Sequence, residues 1–311
     1  MGKLAIETHG LSKIYRSGKK KLSALKELDL HVEEGHVFGF IGPNGAGKTT
    51  TIKVLMGLIS PTSGEASIFE EPIATVASKE KIGYLSEIAY YYSFMEAENL
   101  LHFYGALRGI GREKRRQRIK EYLELVGLAQ RGRTRLREYS KGMLQRFGIA
   151  LALIGDPPLL ILDEPTSGLD PIGRKEVKDV IMRLKARGIT IFLSSHHLSE
   201  VERICDMIGI IHRGTMLQCA PLSHFLEQGR KVYTIRYTGG EPAFEEALAS
   251  RKITVEKTEN HTKKMVVEEK DVPELLKLLL ERGGQLVEVI PGPGSLEEIF
   301  FDIITKGGKE E

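Results

Sequence analysis

Between residues 4 and 41 Val, Ile, Leu and Phe alternate or cluster. The pattern predicts short strands broken at Ser17-Gly18-Lys19 and Glu33-Glu34-Gly35. His36-Val37-Phe38-Gly39-Phe40-Ile41 reads as a buried strand that ends in a Gly-rich turn. From Thr49 to Leu58 the period changes, and Ile52, Leu55 and Met56 share one face of a helix. Residues 95–155 read as helical and more basic. Ile119, Tyr122, Leu123 and Leu125-Val126 supply a buried stripe there, so the charged run Gly111 to Arg118 predicts a solvated face rather than an anion site. Arg131, Arg133, Arg135 and Arg137 read the same way. Strand signals return at Leu159–Leu162 and Thr190–Leu193 with a helical pattern between them. That order predicts a crossover unit whose parallel strands are buried on both faces.

The character changes after Gln228-Gly229. Tyr233, Ile235 and Tyr237 alternate, a helical piece runs from Pro242 to Leu248, and strand-like runs follow at 253–255 and 265–267. A helix from Val272, a strand over 285–290 and a helix from Ser295 complete the order β-α-β-β-α-β and a last helix, which predicts a small split-βαβ domain. Asp271 with Glu274, and Ser295 with Glu298, have capping-box spacing. The expected organisation is a domain over 1–225, containing a helical subdomain at about 88–155, and a small α+β domain over 229–311.

Composition narrows the class. Forty-five Lys plus Arg against 42 Asp plus Glu leave +3, too near neutral to imply a nucleic-acid partner. No uncharged apolar run approaches the ~18 residues of a membrane span, and the N-terminus lacks a signal-peptide core. Two cysteines make no disulfide framework. The expectation is a cytoplasmic protein that reaches a membrane only through a partner.

Gly42-Pro43-Asn44-Gly45-Ala46-Gly47-Lys48-Thr49 matches G-x-x-x-x-G-K-[ST], between a strand and a helix. In such a loop, inward-turned N–H groups and the helix N-terminus surround phosphates. Lys48 then reaches the β- and γ-phosphates, and the Thr49 hydroxyl ligates Mg²⁺. Leu159 to Glu164 is an apolar strand ending in carboxylates. Asp163 is expected to hold the magnesium ion. Glu164, on the other side of the strand end, is placed to accept a proton from an attacking water. His196, His197 and Cys205 lack the ligand spacing of a zinc site.

Taken together these segments resemble the nucleotide-binding subunit of an ATP-binding cassette (ABC) transporter, over residues 1 to about 225. Tyr139-Ser140-Lys141-Gly142-Met143 resembles the family signature, Asp163 to Pro171 its Walker B and D-loop block, and Ser194-Ser195-His196 its switch-histidine segment. The resemblance implies a P-loop ABC cassette, α/β, with a RecA-like core, an antiparallel β subdomain and an α-helical subdomain. It implies ATPase activity with ATP and Mg²⁺. Catalysis falls to Lys48, Glu164 and His196, the last sensing the γ-phosphate, and metal ligation to Thr49, Glu87 and Asp163. Nucleotide contacts fall to Tyr15, which stacks on adenine, to Gly42, Pro43, Asn44, Gly45, Ala46, Gly47, Lys48, Thr49 and Thr50, and to Ser140 and Gly142. Ser140 is expected to N-cap a helix through Leu144, Phe147 and Leu151.

In the family the signature of one subunit closes on ATP held by another. The implied partners are therefore a second copy or a related cassette, and a separate transmembrane permease at the cytoplasmic face. The C-terminal stretch of about 80 residues, ending in Gly294-Ser295-Leu296-Glu297-Glu298-Ile299-Phe300, resembles the accessory tail of an exporter-type branch. Two positions depart from the pattern: Glu87 stands where the family has a glutamine, and Lys141 and Met143 replace glycine and glutamine of the signature. A nucleic-acid-associated ATPase is disfavoured, because Lys48 and Ser140 are only 92 positions apart, with no room for a long coiled coil, and one cassette is present. A small-molecule kinase would leave Ser140, Glu164 and His196 unused.

Overall fold

A computed structural model describes residues 2–17, 20–88, 90–228, 232–240, 242–251, 253–257, 262–292 and 296–307. The chain divides into two compact units, Met1–Leu222 and Ser223–Glu311.

The first unit opens with two 14-residue strands, β1 (Leu4–Ser17) and β2 (Lys20–Glu33). The expected short strands are thus corrected to one long antiparallel pair. Its register shifts between Thr8 and Ile14. Each such irregularity resets which face a residue occupies, so the alternation breaks up although the pairing continues. Strand β3 (Val37–Ile41) is buried throughout and leads to α1 (Lys48–Leu55). That helix stops short of the expected Leu58, because Gly57 turns left-handed at φ 63°. Next come β4 (Ser63–Ile68), β5 (Glu71–Pro72), α2 (Val76–Glu80) and β6 (Ile82–Leu85). Three longer helices follow, α3 (Ala97–Leu107), α4 (Arg112–Leu125) and α5 (Lys141–Leu153). The unit is completed by β7 (Leu159–Asp163), α6 (Pro171–Ala186), β8 (Thr190–Ser195), α7 (Leu198–Ile204), β9 (Met207–His212) and β10 (Thr215–Pro221).

Two sheets result. One is antiparallel in the order β2-β1-β4-β5. The other runs β10-β9-β3-β8-β7-β6, parallel except for β10 at its edge. The β7–α6–β8 crossover is the one read from the sequence, whereas β9 and β10 were not. Both sheets contribute to one apolar core. Phe192 lies between Phe38 and Phe40, at centroid distances of 5.6 and 5.4 Å, and Ile6, Leu30 and Ile52 pack into the same cluster. On α4, Ile119, Tyr122 and Leu123 are buried, while Arg112, Lys114 and Arg116 face solvent. Arg146 of α5 ties the helical segment to the core. Its guanidinium donates to the Val126 carbonyl at 2.8 Å and pairs with Glu176 of α6 at 3.2 Å.

Helix α8 (Leu222–Gln228) carries the chain into the second unit. There β11 (Val232–Gly239), α9 (Pro242–Ser250), β12 (Val255–Lys257), β13 (Lys263–Glu268), α10 (Val272–Glu281) and β14 (Gly284–Gly292) precede α11 (Leu296–Gly307). The antiparallel order β12-β13-β11-β14 is that of a split-βαβ sheet. Ile235, Tyr237, Phe244, Leu248, Met265, Leu275 and Leu279 form its core. The expected capping box at Asp271 is absent. Asp271 ends a 3₁₀ turn in helical geometry, from which its side chain makes no cap bond, and Glu274 pairs instead with Arg251 at 2.6 Å. The second expected box begins at Ser295, outside the described residues.

Candidate active site

The loop after β3 is shaped by what surrounds it. A Cβ on Gly42 would collide with the Ile211 carbonyl of β9. Gly47, the N-cap of α1, sits at φ 115°, and a Cβ there would lie 2.7 Å from the Ala24 carbonyl. Ala46 N–H donates to Pro43 at 3.1 Å, and Gly214 N–H donates to Ala46 at 2.8 Å. No side chain caps α1 and no acidic residue stands in its first turn. Its N–H groups and positive pole therefore face outward, which suits an anion.

Lys48 is buried, and its ammonium donates to the Gly42 carbonyl at 2.6 Å and to Pro43 at 3.4 Å. Its third neighbour is Glu164 Oε1 at 3.3 Å. Glu164 follows the end of β7 with φ 49°, a left-handed turn that a non-glycine residue holds at a cost. That turn aims its carboxylate back into the site, where Oε2 meets His196 Nδ1 at 2.8 Å. Both carboxylate oxygens are thus engaged by cationic or polar partners.

Behind them, Ser194 holds the strand ends together. Its hydroxyl donates to Asp163 Oδ1 at 2.6 Å and accepts from the Glu164 N–H at 2.9 Å. Burial raises the Asp163 carboxyl above the usual carboxylate range. Hydrogen bonds from Ser194 and Thr49 and the charge of Lys48 oppose that rise, and the charge of Glu164 adds to it. Thr49 hydroxyl and Asp163 carboxylate are hard oxygen donors already in contact, a pair that fits Mg²⁺.

A cavity of about 440 Å³ collects most of the expected residues. Tyr15, the loop from Pro43 to Thr50, Glu87, Glu164 and His196 all line it. Gly42 lies beneath, against β9, and Asp163 lies behind with Ser194. Tyr15 is partly exposed at the rim beside Leu22, its cross-strand partner, with the Lys13 ammonium 5.4 Å from its ring centroid. Ser140 and Gly142 do not line this cavity. Ser140 does cap α5, accepting from Met143 N–H at 3.2 Å. Lys141 reaches the D-loop, its ammonium lying against Gly168. Sequence reasoning gave no role to Ser194, nor to Ser23, Ala24 and Ser167 on the cavity wall. A polar residue in a strand buried at all six positions is the signal for Ser194.

Comparison with known proteins identifies the family. Residues 25–167 match the ABC transporter family. An ABC transporter ATP-binding protein of Synechocystis is 40% identical over 97% of this chain and 85% of its own length. The bacitracin transport ATP-binding protein BcrA of Bacillus licheniformis is 38% identical over 97% and 98%. Among solved structures, an ATP-binding subunit of an ABC transporter is 31% identical with a TM-score of 0.64, covering 72% of this chain and 92% of that one. The fold and the sequence shared with these proteins place the chain in the family of ABC transporter ATP-binding subunits, which are cassette ATPases.

Proposed function

We propose that this ATPase energises export through a separate permease, hydrolysing ATP in the cavity at Lys48 only when the signature of a second cassette closes over it. The observation that carries this is the division of the site. Lys48, Thr49, Glu164 and His196 surround one space, and Ser140 and Gly142 stand outside it on the same chain. The outward pole of α5, capped by Ser140, would then face the phosphate of the partner's nucleotide.

Each residue has a role. Glu164 neutralises Lys48 and holds His196. A triphosphate competes for both partners, drawing Lys48 and His196 to its oxygens and freeing the Glu164 carboxylate. Glu164 then takes a proton from the water that attacks the γ-phosphorus, as the bond to the β–γ bridging oxygen breaks. Thr49 and Asp163 would hold Mg²⁺, with Glu87 of the cavity wall as a further ligand; when bound, the ion supplies positive charge at the phosphate oxygens. Tyr15 offers its ring to adenine. Among the described residues no helix is long and apolar enough to cross a membrane, so transport needs a membrane partner. The likeness to BcrA, named for bacitracin transport, supports a role in transport.

Glu164→Gln tests the assignment. It should bind ATP, sediment as a dimer with nucleotide, and hydrolyse at least about a hundredfold more slowly. Near-normal phosphate release would sink the base role. A variant that stays monomeric with saturating ATP would sink the shared site.

A further inference from the structure

The outer face of the antiparallel sheet carries a second constellation, unconnected with the nucleotide. Glu7 of β1 pairs directly with His31 of β2, and His9 follows two positions along β1 on the same face. The imidazole Nε2 of His9 is 3.1 Å from Glu7 Oε1, and that of His31 is 3.8 Å from the same oxygen. One ligand atom from each residue lies within 4.8 Å of the other two. The rings meet edge to face at 5.8 Å, so neither imidazole blocks the other.

We propose that Glu7, His9 and His31 form a binding site for a divalent transition-metal ion, with Zn²⁺ the ion whose geometry they match. At a tetrahedral zinc, with N and O ligands about 2.0–2.1 Å from the ion, neighbouring ligand atoms stand roughly 3.3 Å apart. The two separations from Glu7 bracket that value. Two imidazoles and one carboxylate are a borderline donor set, suited to zinc rather than to magnesium or calcium. Three protein ligands leave a fourth position for water.

The strands are closely packed beneath the ligands. Between Glu7 and His9, Thr8 points inward, is fully buried, and donates to the Leu28 carbonyl at 2.8 Å. Ile6, Leu30 and Val32 fill the same inner face. The alternation that buries these four side chains fixes Glu7, His9 and His31 on the outside together. Glu65 of β4, cross-strand from His9, supplies further negative charge. Glu7, His9 and Glu65 also line a groove of about 600 Å³ into which the open position can face.

Equilibrium dialysis of the full chain, free of any histidine tag and in excess Mg²⁺, tests the proposal with Zn²⁺ as the probe. One Zn²⁺ per chain is expected. His31→Ala and His9→Ala should each weaken binding at least about tenfold, since loss of even an outer-shell partner costs that much. Co²⁺ in place of Zn²⁺ should give the visible absorption of a tetrahedral site without a thiolate band. All three side chains are partly exposed, and an unchanged unfolding temperature without metal verifies that the variants fold. The idea is overturned by absence of binding at millimolar Zn²⁺, or by equal affinity in wild type and His9→Ala/His31→Ala.

Discussion

Removing one hydroxyl, in Ser194→Ala, should disable the site without touching a nucleotide contact. Ser194 is fully buried in a strand whose six residues are all buried, so water has no ready path to replace its oxygen. The change deletes the 2.6 Å bond to the Asp163 carboxylate and orphans the Glu164 N–H, bonded at 2.9 Å. A hydrogen bond to a charged group contributes about 1.5–3 kcal/mol and a buried unpaired donor costs about 1–3 kcal/mol. The two losses share one atom and do not simply add, so about 3 kcal/mol is expected. In a unit of this size that lowers Tm by about 6–12 °C. Ser194 also lowers the Asp163 carboxyl, so its loss lets burial push that group further up. If ionised Asp163 is needed for hydrolysis, the acid limb of the pH–rate profile moves to higher pH. The neutral-pH rate should fall about tenfold or more as Glu164 loses its anchor. Calorimetry and phosphate release across pH 5–9 read these outcomes. A Tm shift under about 1 °C with an unmoved acid limb would refute the reasoning.

Other perturbations separate stability from activity. Lys48→Ala leaves Glu164 buried with only His196, which should cost about 3 kcal/mol, and Lys48→Ala/Glu164→Gln should recover part of it by denaturant titration. The same Lys48→Ala variant should lose affinity for a fluorescent ATP analogue. Asp163→Asn should abolish hydrolysis yet raise nucleotide-free stability at neutral pH by on the order of 1 kcal/mol. The sign follows from the raised carboxyl: its cost is absent below the unfolded pKa and complete above the folded one, so the gain should vanish toward acid pH in thermal melts. Gly142→Ala meets only ordinary contact, 3.5 Å from Gly173, so the chain should keep or gain stability through helix propensity. Loss of ATP-dependent dimerisation in that stable variant, by sedimentation, would mark Gly142 as an interface residue, and unchanged dimerisation would remove it from the proposed site.

What could be read directly from the chain was local. The loop Gly42 to Thr49 announces itself because strand, glycine turn and helix are contiguous, and Ser140 announces a cap because its partner Met143 is three residues away. The crossover β7–α6–β8 was legible for the same reason, since each element carries its own periodicity. Tertiary structure decided the rest. Gly42 is required by Ile211, 169 positions later, and the opening strands hide their length behind shifts of register. Ser194 draws its role from Asp163, 31 residues away. Glu164 faces Lys48 and His196 because of a single left-handed backbone angle that no pattern of polar and apolar residues encodes. Periodicity records which side of an element is buried; it does not record which distant atoms meet there, and the chemistry of this site is made of such meetings.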